Sequence, residues 1–87
     1  MPNNSPRKSR RMVEALITLK RDTAWKCGKL ERLVLTYLRR QLRLYGRTRV
    51  PLKEMISHLT LKGRSKSEFI DAVRRLERRN IVGLEVP

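Results

Sequence analysis

The run KLERLVLTYLRRQLRLYG, Lys29 to Gly46, constrains this fold more than any other stretch. Leu30, Leu33, Val34, Tyr37, Leu38, Leu42 and Tyr45 recur at spacings of three and four and cover more than half of a helical circumference. A helix that apolar needs neighbours on two sides, so it is the central helix, spanning 29–46. Its remaining stripe is Arg32, Thr36, Arg39 and Arg43, and Gly46 stops it. A chain of 87 residues has one small core, so every other element must pack around this helix.

Upstream, SRRMVEALITLKRD places Met12, Val13, Leu16, Ile17 and Leu19 on one helical face and Arg10, Arg11, Glu14, Thr18 and Arg21 on the other. With Ser9 as N-cap, the pattern predicts an extra amphipathic helix over 9–22, docked on its own domain or on a second copy. Residues 1–8 have prolines, asparagines and basic residues and nothing to bury, which predicts a disordered basic arm. DTAWKCGK breaks the helical pattern and forms the joint before the central helix.

Downstream, RTRV reads as a short strand. Pro51 suits a first helical position and opens a helix over 51–60 that buries Leu52, Met55, Ile56 and Leu59. TLKGR is a turn. Ser65 and Glu68 have the spacing of a capping box, which starts the last helix near Lys66 and runs it over 66–79. Phe69, Ile70, Val73 and Leu76 are its buried face, and Asn80 is a left-handed stop. IVGLEV, 81–86, is a weakly alternating strand expected to pair with Thr48–Val50. The expected fold is mainly α, a single domain over 9–87 with a minimal strand pair.

Charge narrows the partners. Lys and Arg number 22 against 8 Asp and Glu, for a formal net charge of +14. Such an excess calls for an acidic partner, and nucleic acid is the commonest. Arginine outnumbers lysine 15 to 7, and its planar fork suits phosphates and base edges. The excess is uneven, however. Residues 1–29 hold a net +6, whereas residues 66–87 hold five basic against four acidic groups.

The segment VPLKEMISHLTLKGRSKSEFIDAVRRLERRNIVGL, within Leu30–Val86, resembles a winged helix-turn-helix domain: a short apolar helix, a glycine turn, a capped helix with Ala72 in mid-face, a stop and a strand. The resemblance implies a last helix that enters a DNA major groove, with Arg64, Lys66, Ser67, Asp71, Arg74 and Arg75 toward the bases and Arg78 on flanking phosphate. Asp71 and Glu68 also allow a plainer reading of these residues as a solvated helix face laced by local ion pairs. Only seven residues follow Asn80, too few for a two-stranded wing. The basic arm (Arg7, Lys8, Arg10 and Arg11) is expected to take the wing's place in the minor groove, and Arg47 and Arg49 to add phosphate contacts. Phosphate contacts give affinity and base contacts give specificity, so the charge distribution points to strong, salt-sensitive binding with modest sequence preference.

The expected function is therefore double-stranded DNA binding in transcription regulation or DNA organisation, in a cytoplasmic, nucleoid-associated protein. Two alternatives stand beside it. Residues 50–82 are also similar to the helix-turn-helix segment of a winged-helix protein of archaeal and eukaryotic small ribosomal subunits, with WKCGK matching an upstream Trp-x-x-Gly-Lys, which implies RNA as partner. The apolar face of the first helix and the Leu35 side of the central helix would suit a homodimer or a protein partner, as in a small accessory subunit of a replication or transcription enzyme.

The remaining residues suggest no chemistry. With one His and one Cys there is no metal-ligand set, and no phosphate-cradling glycine loop, nucleophile elbow or convergent carboxylate pair is present. No enzyme, metal or cofactor is expected, and no membrane association. His58 reads as a partly exposed helix residue, Cys27 as filler, and Trp25 as a plug between two helices.

Overall fold

The computed structural model of the chain describes residues 14–86. Three helices and a three-stranded antiparallel sheet form one small α/β domain. In chain order the elements are β1 (Leu16–Leu19), α1 (Lys29–Tyr45), β2 (Val50–Pro51), α2 (Leu52–His58), α3 (Gly63–Arg78) and β3 (Val82–Glu85). The basic arm and residues 9–13 of the expected first helix lie outside the described residues.

Where that helix was expected to continue, the chain is a strand. β1 is the middle strand of the sheet, in the order β2-β1-β3. It pairs Leu16 with Pro51 and Ile17 with Val50 on one side, and Leu16 to Leu19 with Glu85 to Val82 on the other. A short apolar run satisfies helical and strand spacing equally, and only its length and β-branched content decide. Ile17 and Thr18 are β-branched, and Ile17 is fully buried while its neighbours are half-buried. The strand also keeps the expected 48–50/81–86 partners apart, each being bonded to β1 instead. Gly83 sits in β3 opposite Thr18.

α1 keeps nearly the expected limits and ends at Gly46 with φ 66°. Its buried arc is narrower and is rotated toward Leu35. Glu31, Val34, Leu35 and Leu38 are buried, whereas Leu33, Leu42 and Tyr45 are exposed. Leu35 is thus a core residue, not part of a free apolar side. α3 packs along α1, and the sheet closes on both. Phe69, Ala72, Val73 and Leu76 of α3 are fully buried with Leu52 and Met55 of α2 and Val82 of β3.

The helix starts differ from expectation by one to three residues. Pro51 is the N-cap of α2 rather than its first residue, because it is still paired with β1. α3 begins at Gly63, whose φ of 55° reverses the chain, and Ser65 already lies inside the first turn. The Ser65 hydroxyl accepts the Lys62 N–H at 3.2 Å and donates to the Lys62 carbonyl at 2.8 Å. Glu68 is free to turn outward to Arg64.

All three helices end on a left-handed residue: Gly46, Thr60 (φ 52°) and Asn80 (φ 59°). After α3, Asn80 N–H donates to the Glu77 carbonyl at 2.9 Å and Ile81 N–H to that of Leu76 at 3.0 Å, the paired bonds that satisfy a helix's last carbonyls. Thr60 and Leu61 repeat the arrangement after α2, donating to Ser57 and Ile56.

Candidate nucleic-acid interface

α3 has a sharply divided surface. Its inner face is the core row just described. Its outer face exposes Arg64, Ser67, Glu68, Asp71, Arg74, Arg75 and Arg78, with Lys66 half-buried. The segregation follows from 3.6-residue periodicity acting on a sequence with apolar residues at 69, 72, 73 and 76. α2 precedes α3 through a short turn, Leu59–Lys62, pinned by the Thr60 stop on one side and Gly63 on the other.

The sequence-derived basic residues divide into engaged and open groups. Arg47 is the most engaged. Its Nη1 and Nη2 fork onto both oxygens of Glu54, each at 2.8 Å, and Nη1 also donates to Gln41 Oε1 at 2.9 Å. Tyr37 donates its hydroxyl to the same Glu54 at 2.9 Å. Hydrogen bonding to Arg47 holds the Glu54 carboxyl below the usual carboxylate range, and burial pushes the Tyr37 hydroxyl up. Arg47 is thus a clamp between the end of α1 and α2, its side chain half-buried and its guanidinium committed to Glu54 and Gln41.

Arg75 is partly engaged. Its Nε lies 3.4 Å from Glu31 Oε2, and Glu31 is only 6% exposed. The other Glu31 oxygen accepts the Gly28 N–H at 2.6 Å, which caps the start of α1. Arg49 meets Glu85 at 3.4 Å over the outer side of the sheet, and Arg64 meets Glu68 at 3.6 Å, both in the open. Exposed pairs of this kind are weak and are easily exchanged for a phosphate. Arg74 and Arg78 have no ion pair among the described residues. Arg7, Lys8, Arg10 and Arg11 lie outside them.

On α1, Arg32 and Arg43 are exposed as the stripe predicts, while Arg39 binds Asp22 at 2.8 Å. In all, five of the eight acidic residues are taken up by arginines in described ion pairs. Those five arginines are partly neutralised, and most of the other basic side chains among the described residues are exposed.

Two residues depart from their sequence reading. Trp25 is 69% exposed and plugs nothing. Arg79, which the helix-face reading passed over, reaches back to the Trp25 and Lys26 carbonyls and to the Cys27 sulfur. No local pattern announces that contact, since it spans more than fifty residues of sequence. Glu31 had a usable signal: Gly28-x-x-Glu31 has the capping-box spacing. His58 is exposed and meets the Tyr37 ring edge-on at 5.4 Å.

Among the described residues no helix is long and apolar enough to cross a membrane. No protein-family model matches the chain, and neither a curated protein nor a solved structure matches it significantly.

Proposed function

We propose that the protein binds double-stranded DNA through α2 and α3 acting as a helix-turn-helix within a winged-helix type of domain, in transcription regulation or DNA organisation. The observation that carries the reading is the outer face of α3. It exposes Ser67, Arg74 and Arg78 on a helix whose opposite face anchors the core. A rigid helix with an open polar face is what a major groove accepts. The surrounding excess of unpaired arginine and lysine supplies the sequence-independent attraction to phosphate.

The wing differs from the ordinary arrangement. Its place beside β3 is taken by β1, which arrives from before α1. With no hairpin loop after α3 among the described residues, minor-groove contact falls to the basic residues at 7–11. Arg47 drops out of the binding set, whereas Arg49, Arg64, Lys66, Ser67, Arg74, Arg75 and Arg78 stay in it.

The test is a salt titration with a blunt DNA duplex, a structured RNA and polyglutamate. Binding to duplex should weaken steeply with salt, and the Arg74→Ala/Arg78→Ala double variant should flatten the log–log slope by about 2, roughly 0.9 per phosphate lost. A slope near zero on duplex, or one that the double variant leaves unchanged, refutes the reading. Preference for the structured RNA over duplex at matched salt moves the function to RNA.

A further inference from the structure

Trp25 is the chain's only tryptophan, and it stands in solvent on the loop joining β1 to α1. That loop is held firmly. Arg79, at the end of α3, donates Nη2 to the Trp25 carbonyl at 2.7 Å and Nη1 to the Lys26 carbonyl at 3.1 Å. Trp25 N–H donates to Thr23 Oγ1 at 3.2 Å, and Cys27 N–H returns to the Ala24 carbonyl at 3.2 Å. Buried Cys27 ties the loop to the core. Lys26 adopts a left-handed φ of 54°, a conformation costly for a lysine, and its ammonium lies 4.7 Å from the Trp25 ring centroid.

A large aromatic ring ordinarily buries most of its surface. Here several hydrogen bonds and one strained residue keep it out in water. Beside it is an open depression of about 540 Å³, lined by Trp25, Lys26, Glu31, Arg75, Arg78 and Arg79. Its one carboxylate, Glu31, is already committed to Gly28 and Arg75. The place therefore offers a flat π surface ringed by cations.

A ligand that uses both parts has a flat, neutral ring joined to an anion. An unpaired nucleobase with its own phosphate has that chemistry, and stacking on aromatic side chains is how single-stranded bases are held. A closed duplex keeps its bases stacked on one another and offers no free face. We infer that Trp25, with Lys26, Arg75 and Arg78, forms a second site that takes an unpaired nucleotide, at a single-stranded overhang, bulge or strand. This goes beyond duplex binding by α3, and one titration separates the two.

The full chain is titrated with a blunt duplex, the same duplex with a short single-stranded overhang, and inorganic polyphosphate, while Trp25 fluorescence and affinity are read together. The overhang should quench the emission, and the blunt duplex and polyphosphate should leave it nearly unchanged. Trp25→Ala should reduce the preference for overhang over blunt duplex by about five- to 150-fold, and Trp25→Phe should retain much of it. Far-UV circular dichroism checks that both variants fold. Equal quenching by polyphosphate, no quenching by the overhang, or an unchanged preference in Trp25→Ala overturns the inference. If the overhang binds and quenches while the blunt duplex does not bind, duplex binding is lost and this site stands. If the duplex binds with no gain from the overhang, only this site is lost.

Discussion

Thr60 is the most exposed test of how this sequence sets its fold. It ends α2 at φ 52°, a conformation that costs an L-residue about 1–2 kcal/mol and suits a β-branched side chain least. The residue is exposed, and its hydroxyl makes no hydrogen bond among the described residues. What the stop requires is only its backbone: Thr60 N–H to the Ser57 carbonyl at 3.1 Å and Leu61 N–H to that of Ile56 at 3.0 Å. Asparagine provides the same backbone and tolerates the left-handed region far better, as Asn80 does at the end of α3. Thr60→Asn should therefore recover part of the strain, about 0.5–1 kcal/mol. For a domain of this size that raises Tm by about 2–8 °C. The reciprocal change, Asn80→Thr, should lower it by a similar amount, with a small extra loss from the Lys20 Nζ bond to Asn80 Oδ1 at 3.2 Å. Thermal melts followed by circular dichroism, with urea unfolding as a check on the slope, give both values. A Tm for Thr60→Asn at or below that of the parent chain would falsify the strain argument.

Three further predictions concern Glu54, Tyr37 and Glu31. Glu54 has a depressed pKa in the folded chain through its bonds to Arg47 and Tyr37, so its contribution is fully present above the ordinary carboxylate value and is lost as pH falls through the folded one. Glu54→Gln should flatten the acid limb of a stability–pH curve. The raised Tyr37 hydroxyl works at the other end: its contribution is present below the ordinary tyrosine value and fades as pH rises through the folded one, so Tyr37→Phe should flatten the alkaline limb. Acid and alkaline limbs that keep their shape in both variants would show that the triad carries no linkage. Glu31→Ala strips the acceptor from the Gly28 N–H and should cost about 1–2 kcal/mol in urea unfolding. Glu31→Gln, whose amide oxygen still accepts that bond, should lose clearly less, and equal losses would assign the effect to Arg75 instead.

What the sequence makes legible is local. The limits of α1, the Asn80 stop and the buried row of α3 follow from spacing and end signals that a few neighbouring residues determine. Leu16–Leu19 escaped because its apolar run fits two periodicities, and the choice is made by partners thirty to nearly seventy positions away. Leu35 was misplaced for a related reason: a helix with apolar residues over more than half its girth does not say which arc its neighbours will cover. On the candidate interface, the open face of α3 was readable as the complement of its core row. The commitment of Arg47 to Glu54 and the exposure of Trp25 were not, since each depends on which elements meet in space. Charge counts alone cannot separate an arginine that holds two helices together from one that waits for phosphate.

The position of β1 also bears on how the molecule assembles. α2, its turn and α3 are neighbours in the chain and can associate early, with only short loops to close. The sheet cannot, because pairing Leu19 with Val82 closes a loop of roughly sixty residues and must await both ends. The middle strand is the one that both edges require. A chain caught before that step has two short strands with a vacant slot between them, able to accept the same four-residue segment from another molecule. Exchange of β1 between chains is accordingly the misassembly to which this topology is most open, and high concentration during refolding is the condition that would reveal it.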